Sequence, residues 1–345
     1  MPVISKGNLV LVTGASGFVG SHVSQHFLKG GFKVRGTVRS ESKGEYLKKL
    51  FKNDGDFDYV IVDDIAKDGA FDEAVKGVDA VAHTASPFYV TNIKSTDELI
   101  QPALHGTTGI LKSIQKNNPD VKRVVVTSSV SAIMCVASKK APYTYTEKDW
   151  NVDSVGIVEE KGVDAPGLHI YNASKTLAER SLWDFVEKNK PNWEAVTINP
   201  PVIFGEIIHE CPTPEKLNTS VARVYEWAAG KKTEKDLPAA GGNWVDVHNV
   251  AEGHVLALTK PDAAGERFIV GNGPFAGQDI CDVIHKRFPD LKDVPVGKPG
   301  THDEITKDAN VFDGSKAHKE LGIQYVSLED SVYQTVKSVR ERFHF

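Results

Sequence analysis

The sequence predicts an α/β protein, a doubly wound parallel sheet with helices on both faces and a smaller C-terminal substrate-binding domain. Three observations carry this expectation. Short apolar runs alternate with longer amphipathic segments through the first two-thirds of the chain. A glycine-rich turn directly follows the first apolar run. After Pro200 and Pro201 the alternation loosens, and proline and glycine become frequent. Strands that alternate with helices imply βαβ units and so a parallel sheet.

The elements follow in order. Leu9, Val10, Leu11 and Val12 form a continuous apolar run that suits a strand buried on both faces. Further strands are expected at 34–38, 59–62, 80–83, 124–127 and 195–199, with helices near 17–30, 41–52, 96–117 and 173–188. Residues 1–200 are assigned to the dinucleotide-binding domain and 201–345 to the smaller domain. The segment 244–260 is expected to return to the main sheet.

Bulk properties narrow the function. The 345 residues are 40% hydrophobic and 25% charged, an ordinary globular composition with material for a sizeable core. A formal charge of -5 gives no basic footprint for nucleic acid. Cys135, Cys211 and Cys281 are dispersed, forming neither a disulfide framework nor a zinc motif, and fit a reducing compartment. The N-terminal segment lacks the basic and apolar regions of a signal peptide, and no apolar run reaches membrane-spanning length. A cytoplasmic protein, monomer or homodimer, without a membrane or nucleic-acid partner, is expected.

The turn Thr13-Gly14-Ala15-Ser16-Gly17-Phe18-Val19-Gly20 lies between the first strand and the first helix. Its glycines permit a tight turn, close backbone approach to a pyrophosphate, and close helix–strand packing. The helix N-terminus adds free N–H groups and positive dipole. An NAD site would place a carboxylate about 20 residues further on, to hold the ribose 2′-hydroxyl. Here the second strand ends at Val38-Arg39, with Lys43 one turn later. Two cations suit a 2′-phosphate, so NADPH is expected. Asp64 and Ile65 follow the third strand, where an acid could meet the adenine amine or cap a helix. Thr84, Ala85 and Ser86 follow the fourth and should line the pyrophosphate and ribose crevice.

The chemistry is expected on Tyr171-Asn172-Ala173-Ser174-Lys175, a Tyr-x-x-x-Lys pair sharing one helical face. A second copy at Tyr333 and Lys337 lies in an amphipathic terminal helix and is expected to be structural. Only the first copy follows a strand ending in hydroxyls, at Thr127, Ser128 and Ser129. A phenol loses its proton near ~10. A nearby ammonium would bring that value toward neutrality, as general acid catalysis requires. Strand alternation sends Ser128 and Ser129 to opposite faces.

These motifs resemble the extended short-chain dehydrogenase/reductases, in the branch of dihydroflavonol reductases and yeast and fungal NADPH-dependent aldehyde, methylglyoxal and carbonyl reductases. The likeness rests on the glycine turn, Val38-Arg39 with Lys43, His83 to Pro87, Thr127 to Ser129, Tyr171 to Lys175, and Asn199 to Pro201. It implies Ser129, Tyr171 and Lys175 as catalytic, with Tyr171 and Lys175 also touching the cofactor. Pro200, Val202 and Ile203 would then sit beside the nicotinamide. The asparagine that relays protons in many members is missing around His105. Phe88, Ile133, Phe204, Trp227 and Trp244 are expected to line a pocket for a hydrophobic aldehyde or ketone. The competing readings are a nucleotide-sugar epimerase or dehydratase, which Arg39 argues against, and a non-catalytic NADP sensor, which the tyrosine–lysine pair argues against.

Overall fold

The computed structural model describes residues 1–86, 94–135, 137–237 and 240–345. The chain opens with β1 (Leu9–Thr13), α1 (Phe18–Lys29), β2 (Lys33–Val38), α2 (Glu41–Leu50), β3 (Phe57–Ile61) and β4 (Ala80–His83). Then come α3 (Asp97–Asn117), β5 (Arg123–Thr127), β6 (Thr144–Tyr145), α4 (Val152–Lys161), α5 (Gly167–Asn189) and β7 (Glu194–Asn199). The C-terminal part holds β8 (Val202–Phe204), α6 (Thr219–Ala228), β9 (Ala240–Asp246), α7 (Val247–Thr259), β10 (Arg267–Ile269) and β11 (Pro274–Ala276). It closes with α8 (Gly277–Arg287), α9 (His302–Thr306), β12 (Val311–Phe312) and α10 (Leu328–Phe343).

Among the described residues, seven strands form the main sheet in the order β10-β7-β5-β4-β1-β2-β3. Each neighbouring pair is parallel. This is the doubly wound Rossmann arrangement, whose strand order reverses beside β1 and leaves a crevice at the carboxyl ends. Alternation along β1 divides the core between the two faces. Val10 and Val12 join the cluster under α1 and α7, whereas Leu11 joins Ile110, Leu111 and Leu182 under α3 and α5.

The return to the main sheet differs from expectation. Strand β9 lies in a separate three-stranded sheet with β8 and β11. Helix α7 does pack on the main sheet, contributing Val250, Ala251 and Ala257 to its core. The strand that returns is β10, whose Arg267 lies opposite Thr197 of β7. The small sheet packs Phe204, Trp244 and Phe275 against Trp227 of α6, Ile280 of α8, and Val332 and Val336 of α10.

Candidate active site

The glycine turn has the form the sequence implies. Gly14 adopts a left-handed φ of 64°, and a Cβ there would meet the Ala85 backbone at 3.0 Å. A Cβ on Gly20 would lie 2.3 Å from the Gly14 carbonyl oxygen, so α1 can approach β1 only with glycine at that position. Gly17 is the exposed N-cap of α1 and supplies no side-chain cap, leaving the first helical N–H groups available to an anion. A cradle of backbone N–H groups at the switch point fits a dinucleotide pyrophosphate. Ser16 and Val19 are half-buried around it.

Several neighbours expected to touch a cofactor instead hold the frame. The buried Thr13 hydroxyl lies 2.9 Å from His83 Nδ1 and accepts from the Thr84 and Ala85 amides. Thr84 Oγ1 donates to the Thr13 carbonyl at 2.6 Å. These bonds lock the ends of β1 and β4 together beneath the turn. Phe18 is buried against the His22 and His209 rings. Asp64 is exposed and caps its own turn by accepting from the Ala66 amide, and Ile65 packs toward Gly106 of α3.

At the end of β2, Arg39 is exposed. Lys43 is half-buried and pairs with Glu210 at 2.6 Å, a carboxylate contributed by the C-terminal part. Thus only Arg39 of the two expected phosphate ligands has no ion-pair partner among the described residues.

The second motif stands at the carboxyl end of β5. Its backbone is pinned to the end of β7, with the Ser128 amide donating to the Ile198 carbonyl and the Val130 amide to the Pro200 carbonyl. Alternation separates the two serines as expected. Ser128 Oγ donates to the buried Glu179 carboxylate, whereas the Ser129 hydroxyl hydrogen-bonds the Tyr171 phenol. Tyr171, Lys175 and Glu179 follow one another at successive turns of α5 and share its sheet-facing side. Lys175 Nζ donates to Ser86 Oγ at 2.6 Å and lies 5.8 Å from the Tyr171 ring centre. Burial pushes the Tyr171 phenol above its ordinary value, with the Ser129 hydrogen bond opposing the shift. Burial also lowers Lys175 to about 8.

Three polar residues here escaped the sequence reading. Beneath Lys175 lies a cavity of about 20 Å³, lined by His83, Ser86, Thr107, Thr127, Ser128 and Glu179 among others. That is room for one water-sized group. Thr107 therefore occupies the helix face where an asparagine was sought, while His105 is exposed. Glu179 is fully buried and binds Ser128, Asn199 Nδ2 at 2.7 Å and Arg267 Nε at 2.6 Å. Asn199 in turn donates to the Ser129 carbonyl at 3.2 Å. A carboxylate two turns beyond Tyr171, in a segment otherwise facing the sheet, was the available signal for Glu179.

The described residues expected as pocket walls are all buried. Phe204 stacks on Trp244 at 6.1 Å and meets Phe275 edge-on at 5.0 Å, all within the small-domain core. Trp227 packs against Gly277, and Ile133 joins Tyr145 and Phe312 in another buried cluster. Their strands and helices turn these large side chains toward their own layers, where apolar area is removed from water. Phe88 lies outside the described residues. Pro200 is buried, but Val202 and Ile203 are only half-buried beside it. The second Tyr-x-x-x-Lys is structural: Tyr333 stacks on Phe288 at 5.4 Å, with Arg287 3.9 Å above its ring.

Fold and site together define a dinucleotide-type α/β protein with a serine–tyrosine–lysine group at the sheet's carboxyl edge. Comparison with known proteins agrees with that class. The model of the NAD dependent epimerase/dehydratase family matches residues 10–271, and the chain belongs to this family. It is 38% identical to the ketoreductase azaE of Aspergillus niger, over 98% of this chain and 99% of the relative. It is 34% identical to the NADPH-dependent methylglyoxal reductase GRE2 of Saccharomyces cerevisiae, over 96% and 97% respectively. The crystal structure of yeast methylglyoxal/isovaleraldehyde reductase Gre2 complexed with NADPH superposes with a TM-score of 0.86. That pair is 32% identical and covers 96% of this chain and 98% of the other. No described helix is long and apolar enough to cross a membrane.

Proposed function

We propose that the chain is an NADPH-dependent reductase of hydrophobic aldehydes and ketones, with Tyr171 as the proton donor. The observation that carries this reading is the meeting of Ser129, Tyr171 and Lys175 at the carboxyl edge, next to the glycine cradle. The names of its reductase relatives support it. When bound, NADPH supplies the hydride that reaches the carbonyl carbon.

The protein groups supply the rest. Burial keeps the Tyr171 phenol protonated, the state a donor must have at neutral pH. A carbonyl oxygen placed beside Ser129 and Tyr171 meets two hydroxyl donors, which stabilise the negative charge that develops there. The Tyr171 proton passes to that oxygen as the C–H bond forms. Lys175, lowered to about 8, gives a proton back to the Tyr171 oxygen near neutrality. The exposed guanidinium of Arg39 holds the 2′-phosphate; Lys43, already paired with Glu210, is secondary. The hydrophobic preference rests on half-buried Met134, Val202 and Ile203 near the same edge.

The test is consumption of NADPH by purified protein presented with a series of alkyl ketones. Each added methylene should gain up to ~0.8 kcal/mol until the pocket is full. Tyr171→Phe should lower turnover about 10²–10⁴-fold, the range of a general acid, and leave NADPH binding intact. Full turnover in that variant would sink the mechanism, and a flat ketone series would sink the apolar pocket.

A further inference from the structure

A second concentration of titratable side chains lies where α1, the segment after β8 and the first turn of α7 meet. His22 and His26 stand one turn apart on α1, Glu206 follows β8, and His248 opens α7. One ligand-type atom from each of His22, Glu206 and His248 lies within 4.8 Å of those from the other two. The His248 ring stands edge-on to His22 at 5.0 Å and 5.3 Å from His26.

Hydrogen bonding fixes the tautomers. His22 Nε2 lies 2.9 Å from the Glu206 carbonyl oxygen, and His26 Nδ1 lies 2.9 Å from the His22 carbonyl oxygen. A carbonyl only accepts, so these nitrogens carry the hydrogens. In a neutral ring the other nitrogen then holds a lone pair. For His22 that atom is Nδ1, which is buried and has no hydrogen-bond partner among the described residues. An unmet lone pair in a fully buried side chain is costly. Metal-binding imidazoles have this same arrangement, with one N–H given to a backbone carbonyl and the other nitrogen turned to a cation.

We propose that His22, Glu206 and His248 bind a divalent transition-metal cation of the zinc type. Two imidazoles and a carboxylate are a mixed nitrogen and oxygen donor set, which suits zinc, whereas calcium and magnesium take oxygen ligands. His248 Nε2 and Glu206 Oε1 lie 3.3 Å apart. The site ties α1, which carries the phosphate cradle, to the segment after β8 and to α7. It is a clasp between layers, and its ligands are separate from Ser129, Tyr171 and Lys175.

The experiment uses the full chain, freed of metal with a chelator and titrated with Co²⁺. One equivalent should saturate a visible absorption band, and Zn²⁺ should displace it and raise Tm. His248 and Glu206 are about one-third exposed, at 36% and 35%, so each can be replaced without opening the core. His248→Ala and Glu206→Gln should each weaken Co²⁺ at least about tenfold, the scale of lost supporting interactions in metal sites. Tyr171→Phe should bind Co²⁺ as the wild type does, which keeps this test independent of the reductase reading. Absence of a band saturating at one equivalent, or the same affinity in both ligand variants, would overturn the proposal.

Discussion

Two buried arginines close the main sheet in different ways. Arg123 opens β5 at the amino end of the sheet and bridges to Glu194 of β7. Its remaining donors reach the carbonyls of Ala257, Lys260 and Pro261, so each guanidinium nitrogen is paired. Arg267 opens β10, which starts level with Thr197 and so stands near the carboxyl end. It pairs with Glu179, reaches the Glu147 and Asp149 carbonyls, and lies 3.8 Å over the Trp150 ring. Its Nη2 is buried without a hydrogen-bond partner among the described residues. The amino end is fully satisfied because only stability is decided there. At the carboxyl end the same carboxylate must also hold Ser128 and Asn199, and one donor is left over.

The sharpest way to break this comparison is to remove each arginine. Arg267→Ala should cost about 3–5 kcal/mol of stability, the range for stranding a buried charge, and Arg123→Ala should cost less because its partner Glu194 is half-exposed; urea unfolding reads both. Only Arg267→Ala should also lower kcat per folded molecule, because Glu179 then loses its counter-charge and its hold on Asn199 and Ser129. An Arg123→Ala protein with equally damaged kcat would erase the distinction between the two ends.

A smaller effect is expected at the cofactor edge. Arg39→Ala should weaken NADPH about ten- to hundredfold and spare NADH, since a charged hydrogen bond contributes roughly 1.5–3 kcal/mol. Titration with both cofactors by fluorescence decides this; equal weakening of the two would remove Arg39 from the phosphate site.

The mildest effect is that of pH. Lys175 is lowered by burial to about 8, so its charged form is favoured below that value and lost above it. The rate of reduction, as kcat/KM, should therefore fall as pH rises through about 8, approaching tenfold per unit beyond it. The stability linkage has the opposite sense. Folding disfavours the charged amine, so this group's penalty is largest below about 8 and fades as pH rises toward the ordinary lysine value. A rate that stays flat well above pH 8 would detach Lys175 from proton transfer.

Much of this layout was legible in the sequence, for physical reasons. Strands β1, β4, β5 and β7 are largely buried apolar runs, and such runs announce themselves without an alignment. The glycine turn and the tyrosine–lysine spacing are local, and local geometry is what a sequence displays. Strand β10 is only Arg-Phe-Ile and gives no periodic signal. The Arg267–Glu179 pair spans 88 residues of sequence, and a long-range ion pair leaves no trace in either neighbourhood. Phe204, Trp227 and Trp244 were expected at a pocket because aromatics suit both walls and cores, and only the layer packing decides between them. Lys43 was expected to meet a phosphate because Glu210, its partner, lies far along the chain.

The dependence of Glu179 on Arg267 also bears on the order in which the molecule is assembled. The catalytic helix is fastened to strands that leave the ribosome early, midway and late: β5, β7 and β10. Until residue 267 has emerged, Glu179 is a carboxylate destined for the interior with no counter-charge, so the turn of α5 that carries it is not yet fixed, although Leu182 already has its apolar partners. Nascent chains that end before β10 should therefore hold the first five strands while leaving Tyr171 and Lys175 unplaced. The candidate site is completed by the last strand to join the main sheet.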